Sequence, residues 1–418
     1  MVSVVVSFVG SQDPWSDRQG NPAHQEGSLV TLIRFLHAQG CTVARVVLLH
    51  TADLVERVQL CREWLAEDLH LDATAVVALP VSDALSTDPI DTRAAVAEAR
   101  RGLELAATGL APGDRVEMNA SSGTPAMKSA WNLLQAAGYA PTARVWQVRD
   151  PARMGNGQAR VFESDTSYLR DEFDARVIAR QVGDFNYAGA LGSLEQSRLG
   201  TPLLLGLLRF GRFRLAFDFN RAFDALVAIE EPLRAELTRE IAPLRQGRSS
   251  ALLRELYYNA LVKLAVCEYS DFLGRVFRFQ EAVLRHVAQE LTGLTLERSC
   301  WLALDRVDGG KLRAHLERYR LPSGDRLNLG GDFNRRTLEA ILEHYRCNDL
   351  LAALRVVNDY SDLRNRCIVA HGYEGLSEIR DVGRLTRTMH EILVKIGISP
   401  GKNPFEALNF QILHILRL

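Results

Sequence analysis

The stretch Leu354-Arg-Val-Val-Asn-Asp-Tyr-Ser-Asp-Leu-Arg-Asn-Arg-Cys-Ile-Val-Ala-His-Gly372 reads as a single helix that ends in a histidine. Leu350, Leu354, Val357, Tyr360, Leu363 and Cys367 recur at steps of three and four, the period of a buried helical stripe. Gly372 stands where a C′ glycine stops a helix. On such a helix Arg364 and His371 lie close to two turns apart and project from one row beside the stripe, with Ser361 and Ile368. Arg366 points elsewhere. A guanidinium and an imidazole bordering an apolar seam, with the Asn365 carboxamide nearby, could hold a phosphodiester and move its protons. Arginine supplies fixed charge and forked donors for phosphate oxygens, and histidine can act as general acid or base.

The bare spacing is a weak motif. Arg366 and His371 form an Arg-x4-His pair, and about one such pair is expected by chance in a chain this rich in Arg. Arg45 and His50 repeat the spacing in Val43-Ala-Arg-Val-Val-Leu-Leu-His50, a strand-like run in which an odd separation puts the two side chains on opposite faces. Arg384 and His390 are a looser match. The competing reading is a solvated helix end whose histidine is favoured by the C-terminal dipole.

Working outward, the N-terminal part alternates strand-like and helix-like runs. Val2-Ser-Val-Val-Val-Ser-Phe-Val9 breaks at Gly10-Ser11-Gln12-Asp13-Pro14, a strand followed by a polar turn, and Ser16 to Asn21 continue the loop. Helices are expected at Gly27–Gln39, Ala52–Asp68, Asp91–Ala107 and Pro125–Ala137, the last with proline at its first position. Strands are expected at Val43–His50, Ala75–Pro80, Arg115–Asn119 and Ala143–Val148. This order predicts a doubly wound, mostly parallel sheet with ligands at the carboxyl ends of the strands. Two loops leave strand ends carrying glycine and small hydroxyls, Gly10–Asp13 and Asn119–Thr124, and each would present backbone N–H groups to an anion. Such turns also occur for closure alone. No G-x-G-x-x-G follows the first strand and no G-x4-G-K-[ST] is present, so neither dinucleotide nor P-loop binding is supported.

Residues 1–150 form the expected α/β domain and 151–183 a connector with a hairpin and a helix. Residues 184–418 are expected to be helical. Three stretches there begin with the same tripeptide, at Asp184-Phe-Asn186, Asp218-Phe-Asn220 and Asp332-Phe-Asn334. Asp and Asn are favoured N-caps, and the residues that follow diverge, so recurrent capping is preferred to a true repeat.

Composition sets further bounds. The 418 residues are long enough for two or three domains, with 47% hydrophobic and 24% charged residues. The sequence holds no run of about 18 or more apolar residues, the length needed to span a membrane, and Val2–Val9 lacks the pattern of a signal peptide. The formal net charge of −1 gives no global basic field, so nucleic-acid contact must be local. Cysteines at 41, 61, 267, 300, 347 and 367 are scattered with no C-x2-C pair, which points to reduced thiols in a cytoplasm and no zinc site. Lysine occurs only at 128, 263, 311, 395 and 402, which makes Lys128 conspicuous.

Arg364-Asn365-Arg366-x4-His371 followed by Gly372, late in a helical half and behind an α/β half, resembles the HEPN motif of the type III CRISPR ancillary ribonucleases, which join an N-terminal CARF sensor to a C-terminal HEPN nuclease. Asn119-Ala-Ser-Ser-Gly-Thr-Pro-Ala-Met-Lys128 is similar to the second ligand loop of CARF domains, with Ser121 and Ser122 standing where the family often has Thr and Gly. The resemblance implies a Rossmann-like CARF domain followed by an all-α HEPN domain. It implies that cyclic oligoadenylate, with tetra-adenylate favoured over hexa-adenylate, is the activator at Gly10, Ser11, Gln12, Asp13, Asn119, Ser121, Ser122, Gly123, Thr124, Met127 and Lys128. Met127 suits the core of its own helix equally well. Arg364, Asn365, Arg366 and His371 would be catalytic, with no cofactor and no metal. Further implications are a cytoplasmic homodimer, a single-stranded RNA substrate, no membrane and no stable association with the effector complex. Two other readings stay open: a CARF sensor or dimerisation protein without nuclease activity, and a ring nuclease that degrades the cyclic ligand.

Overall fold

In the computed structural model the residues described are 2–15, 26–140, 142–296, 301, 303–321 and 323–416. The loop Ser16–Asn21 and Cys300 lie outside them. Six strands form one sheet: β1 Val2–Phe8, β2 Thr42–His50, β3 Val76–Pro80, β4 Arg115–Asn119, β5 Arg144–Val148 and β6 Val161–Glu163, in the order β3-β2-β1-β4-β5-β6. The first five are parallel and β6 is antiparallel to β5. Residues 151–183, read from sequence as a connector, thus supply an edge strand and then helix α6 (Ser167–Gly183). The compact N-terminal unit runs past residue 150 to Phe173.

The period of two along β1 builds two cores. Val4, Val6 and Phe8 face one layer, with α4 (Thr92–Ala107) and α5 (Pro125–Ala136). Val5 and Val9 face the other, with α1 (Ser28–Ala38) and α2 (Val55–Leu69). A sheet covered on both faces needs apolar residues on both, which is why β1 reads as a continuous Val-rich run. A short helix α3 (Asp83–Thr87) was not expected. Because strand order runs outward from β1 in one direction and from β4 in the other, the loops after β1 and β4 leave the sheet at its topological switch point.

The second unit, Asp174–Leu418, is built from α7 (Tyr187–Glu195), α8 (Pro202–Leu215), α9 (Phe219–Ala225), α10 (Leu233–Arg245), α11 (Ser249–Ala265), α12 (Tyr269–Thr292), α13 (Lys311–Arg318), α14 (Arg335–His344), α15 (Asn348–Asn358), α16 (Ser361–Arg366), α17 (Val382–Lys395) and α18 (Pro404–Ile415). Its helices share a tight corner. Phe185, Phe217, Cys267 and Arg346 each adopt a left-handed φ between 54° and 61°, and the residue after each donates its N–H back into the last turn of the preceding helix. This is the Schellman closure made without glycine. The recurring Asp-Phe-Asn tripeptides serve capping: Asn186, Asp218 and Asn334 each accept from a backbone N–H three residues on. No described helix is long and apolar enough to cross a membrane.

Candidate functional sites

In the N-terminal unit, the loops after β1 and β4 are tied together by one buried carboxylate. Asp13, 1% exposed, accepts from Gly10 N–H at 3.0 Å and from Leu29 N–H at 3.2 Å, and its Oδ2 also accepts from the Ser122 hydroxyl. Leu29 opens α1, so three segments meet on this side chain. Space at the junction is tight. A Cβ at Gly27 would overlap Asp13 and the Gln12 carbonyl, and one at Gly10 would come within 2.9 Å of Ser122 Oγ. Burial pushes the Asp13 carboxyl above its ordinary range, against the opposing pull of its hydrogen bonds and the Lys128 charge.

Several residues expected to touch a ligand are used internally. Asn119 is fully buried and donates to Ser7 Oγ and Ser28 Oγ while its Oδ1 accepts from Ser121 N–H. Ser121 Oγ accepts from Val148 N–H at 2.6 Å, and Ser122 is buried against Asp13. Met127 packs in the core, and its sulfur lies so close to Gly123 that a Cβ there would come within 2.9 Å of it, while the φ of +89° independently disfavours any side chain. Thr124 caps α5, accepting from Met127 N–H, and donates to the Pro89 carbonyl at 2.6 Å. What remains accessible is Ser11 and Gln12, both exposed, together with the partly exposed Gly10, Ser121, Gly123, Thr124 and Lys128 and the N-terminus of α5. Those backbone donors and one ammonium make an anion-competent surface, framed by the buried polar set.

One consequence is a pH dependence with a definite sign. A carboxyl whose folded pKa is raised binds its proton more readily in the folded state. Its stabilising share is therefore present below the ordinary value of 3.8 and is lost as pH rises through the raised one. The denaturation midpoint of the unaltered chain relative to Asp13→Asn is expected to fall as pH increases from about 4. A pH-independent difference would show that Asp13 titrates normally.

In the second unit, Leu354–Gly372 is not one helix. The chain tightens after α15: Asp359 and Tyr360 N–H bond three residues back, and Ser361 Oγ takes the Asn358 carbonyl at 2.7 Å. The short α16 then stops at Arg366, and Cys367 turns to extended backbone. Helix continuation would need Ala370 N–H on the Arg366 carbonyl. That carbonyl instead accepts Glu374 N–H at 2.9 Å, Cys367 pairs with Glu374, and Ala370 N–H bonds to Cys367. Gly372 is required for close approach and does not serve as a left-handed cap, since any Cβ there would overlap the Arg366 backbone.

Arg364 and His371 therefore do not share a helical row. His371 arrives by loop closure, next to the residue that packs on Arg366. Arg364, half-buried, lies with Cζ 4.8 Å from the Phe277 ring centre and donates to Asn365 Oδ1 at 2.7 Å and 3.2 Å. Arg366 pairs with Glu374 at 2.9 Å, both half-exposed, a contact worth little in stability. Asn365, Arg366 and His371 are exposed, and so are Ile368, Val369 and Tyr373 at 67%, 37% and 92%. Sequence reading missed Phe277 and Glu374, because no local pattern links them to the motif. Among the described residues no group of three or more His, Cys, Asp or Glu side chains is placed to hold a metal ion.

No protein-family model and no curated protein matches the chain. Among solved structures it is similar to Enterococcus italicus Csm6 bound to cyclic hexa-2′-fluoro-hexa-dAMP, with a TM-score of 0.66 and 16% sequence identity over 99% of this chain and 100% of that one. The chain thus shares the fold of that protein over nearly its whole length, a Rossmann-like, mostly parallel sheet unit followed by an all-helical unit, as the sequence led us to expect.

Proposed function

We propose that the chain is an endoribonuclease of the type III CRISPR ancillary class, held inactive until a cyclic oligoadenylate occupies the loops after β1 and β4, and cutting single-stranded RNA at Arg364, Asn365, Arg366 and His371 without a metal ion. The observation that supports this reading is the closed loop 367–374, which carries His371 back beside the end of α16, where Arg364 and Arg366 stand, next to exposed apolar residues. The protein it resembles in fold carries a six-membered adenylate analogue. Nothing in the loops of this chain supports a four-membered ring over a six-membered one, so the activator is proposed as the class. The test is cleavage of a single-stranded RNA with and without cyclic tetra- or hexa-adenylate, with the fate of the ligand followed in the same reaction. Cleavage that ignores both ligands would sink the sensor role, and ligand consumption without RNA cleavage would make the chain a ring nuclease.

Lys128 is the ammonium at the mouth of the sensor loops. Replacing it with Ala is expected to weaken activator binding roughly tenfold, the scale of one charge-assisted hydrogen bond, measured by calorimetry. Unchanged affinity would move the ligand elsewhere. Ser122 is less clean as a probe, since its loss also frees the buried Asp13.

The exposed Ile368, Val369 and Tyr373 beside the motif support a homodimer in which two such loops meet, since contiguous apolar surface at a polar site marks an interface. Ile368→Lys with Tyr373→Lys is expected to shift the chain toward monomer in sedimentation and to lower cleavage together. A monomer as active as the unaltered chain would refute the composite site.

A further inference from the structure

The motif does not hold its own geometry, because α16 is too short to be stable alone and two of its three functional side chains, Asn365 and Arg366, are exposed. What sits beneath it is one stripe of α12. A Cβ at Gly274 would meet Val369 Cβ at 3.5 Å, so the motif loop lies directly over that position. Phe277, 8% exposed, presents its ring to Arg364. Gln280, 1% exposed, donates to the Leu354 carbonyl and to Asn358 Oδ1, each at 2.9 Å, and Arg335 donates to the same Oδ1 at 2.9 Å. Asn358 is the residue at which α15 ends and the chain turns into α16. Three positions spaced by one helical turn thus contact the loop, the guanidinium and the turn that launches them.

From this arrangement we propose that Phe277 is a positioning residue of the nuclease site, acting through Arg364. The inference rests on the functional reading given above. A guanidinium sits at the end of a long, rotamer-rich side chain and would otherwise sample many directions. With Asn365 Oδ1 accepting from Nε and Nη2 and an aromatic face beneath its plane, it is held with its remaining N–H donors free for phosphate oxygens. The ring contributes through its negative face as well as its volume, and Gln280 fixes where α16 begins. Loss of the face leaves the cation present but undirected, which costs rate while RNA is bound.

The test uses the full chain with activator, measuring single-turnover cleavage at saturating RNA, RNA affinity and the thermal midpoint. Phe277→Leu keeps an apolar side chain and removes the ring, and it is expected to slow cleavage about tenfold, the scale of a partly desolvated cation–π contact, with RNA affinity within about twofold. Phe277→Tyr retains the face and is expected to restore most of the rate. In an Arg364→Gln background Phe277→Leu is expected to have no further effect, because its role passes through the guanidinium. Equal cleavage by Phe277→Leu and the unaltered chain, or the same loss with and without Arg364, would show Phe277 to be a core residue only. If Arg364→Gln itself cleaves as well as the unaltered chain, the reading of the motif fails and this inference with it. A fall in the thermal midpoint that matches the loss of rate, unrescued by Tyr, also overturns it.

Discussion

His371→Ala is expected to lower RNA cleavage by about 10²-fold or more, the usual scale for losing a positioned acid–base group, with activator affinity unchanged. In the proposed reaction the substrate's own 2′-hydroxyl gives up its proton and its oxygen forms a bond to the adjacent phosphorus. The bond from phosphorus to the 5′-oxygen breaks, and that oxygen takes a proton as it leaves. The products carry a 2′,3′-cyclic phosphate and a 5′-hydroxyl. His371, exposed on the closed loop, serves proton transfer or alignment of the hydroxyl. Arg364 and Arg366 would stabilise the charge developing on the phosphoryl oxygens, and Asn365 orients Arg364. The scheme needs a 2′-hydroxyl and no ion, so a 2′-deoxy substrate is expected to resist cleavage and EDTA to leave the rate unchanged. Cleavage of the deoxy substrate, or loss of activity in EDTA that magnesium restores, would falsify it. Activator binding by the variant is measured in parallel, because the sensor loops lie in the other compact unit and are not expected to respond.

How much of this was legible in the sequence depends on the range of the interactions involved. The strands and helices of the first unit follow from local periods: Val4, Val6 and Phe8 against Val5 and Val9 divide between two cores as alternation requires. The switch-point loops follow from strand order, a consequence of the parallel alternation. The motif helix illustrates the opposite case. Leu354, Val357, Tyr360 and Cys367 are all buried as the stripe predicts, yet the helix breaks twice, because Ser361 and Glu374 compete for backbone carbonyls that a continuous helix would use. Periodicity reports which face is buried and cannot report a competitor for a carbonyl, whether the side chain of Ser361 within the stretch or the backbone of Glu374 beyond it. The internal hydrogen bonds of the loops after β1 and β4 were hidden in a related way. Asp13, Asn119, Ser121 and Ser122 are polar residues in strand-end loops, which the resemblance assigns to a ligand. Partners as distant as Asp13 and Ser122, separated by 109 positions, also bond them within the protein, and no local pattern reports such a pairing. Phe277 and Gln280 were invisible for the same reason, since an aromatic and an amide on an amphipathic helix look like core and surface until the helix packed on them is known.

The largest expected change in stability comes from Arg214, which no functional motif touches. Its guanidinium, on α8, is 5% exposed and makes a two-pronged contact with Glu255 of α11, Nε to Oε1 at 2.8 Å and Nη2 to Oε2 at 2.9 Å. Glu240 of α10 adds a third bond at 2.7 Å. Burial opposes the charge on Arg214, yet Glu255 and Glu240 outweigh it and hold the group above its ordinary pKa. Glu255 is itself 3% exposed, so removing only the cation strands a carboxylate away from water. Arg214→Ala is therefore expected to cost roughly 3–5 kcal/mol, a fall of about 10 °C in the unfolding midpoint of a unit this size. The pair itself is a weak net stabiliser, because both ions had to be desolvated. Arg214→Met combined with Glu255→Leu is accordingly expected to recover most of the loss. Thermal melts of the two variants read the difference. A double variant as unstable as the single one would show that the lost packing of the Arg214 side chain against Phe210 and Phe405, rather than the stranded charge, sets the cost.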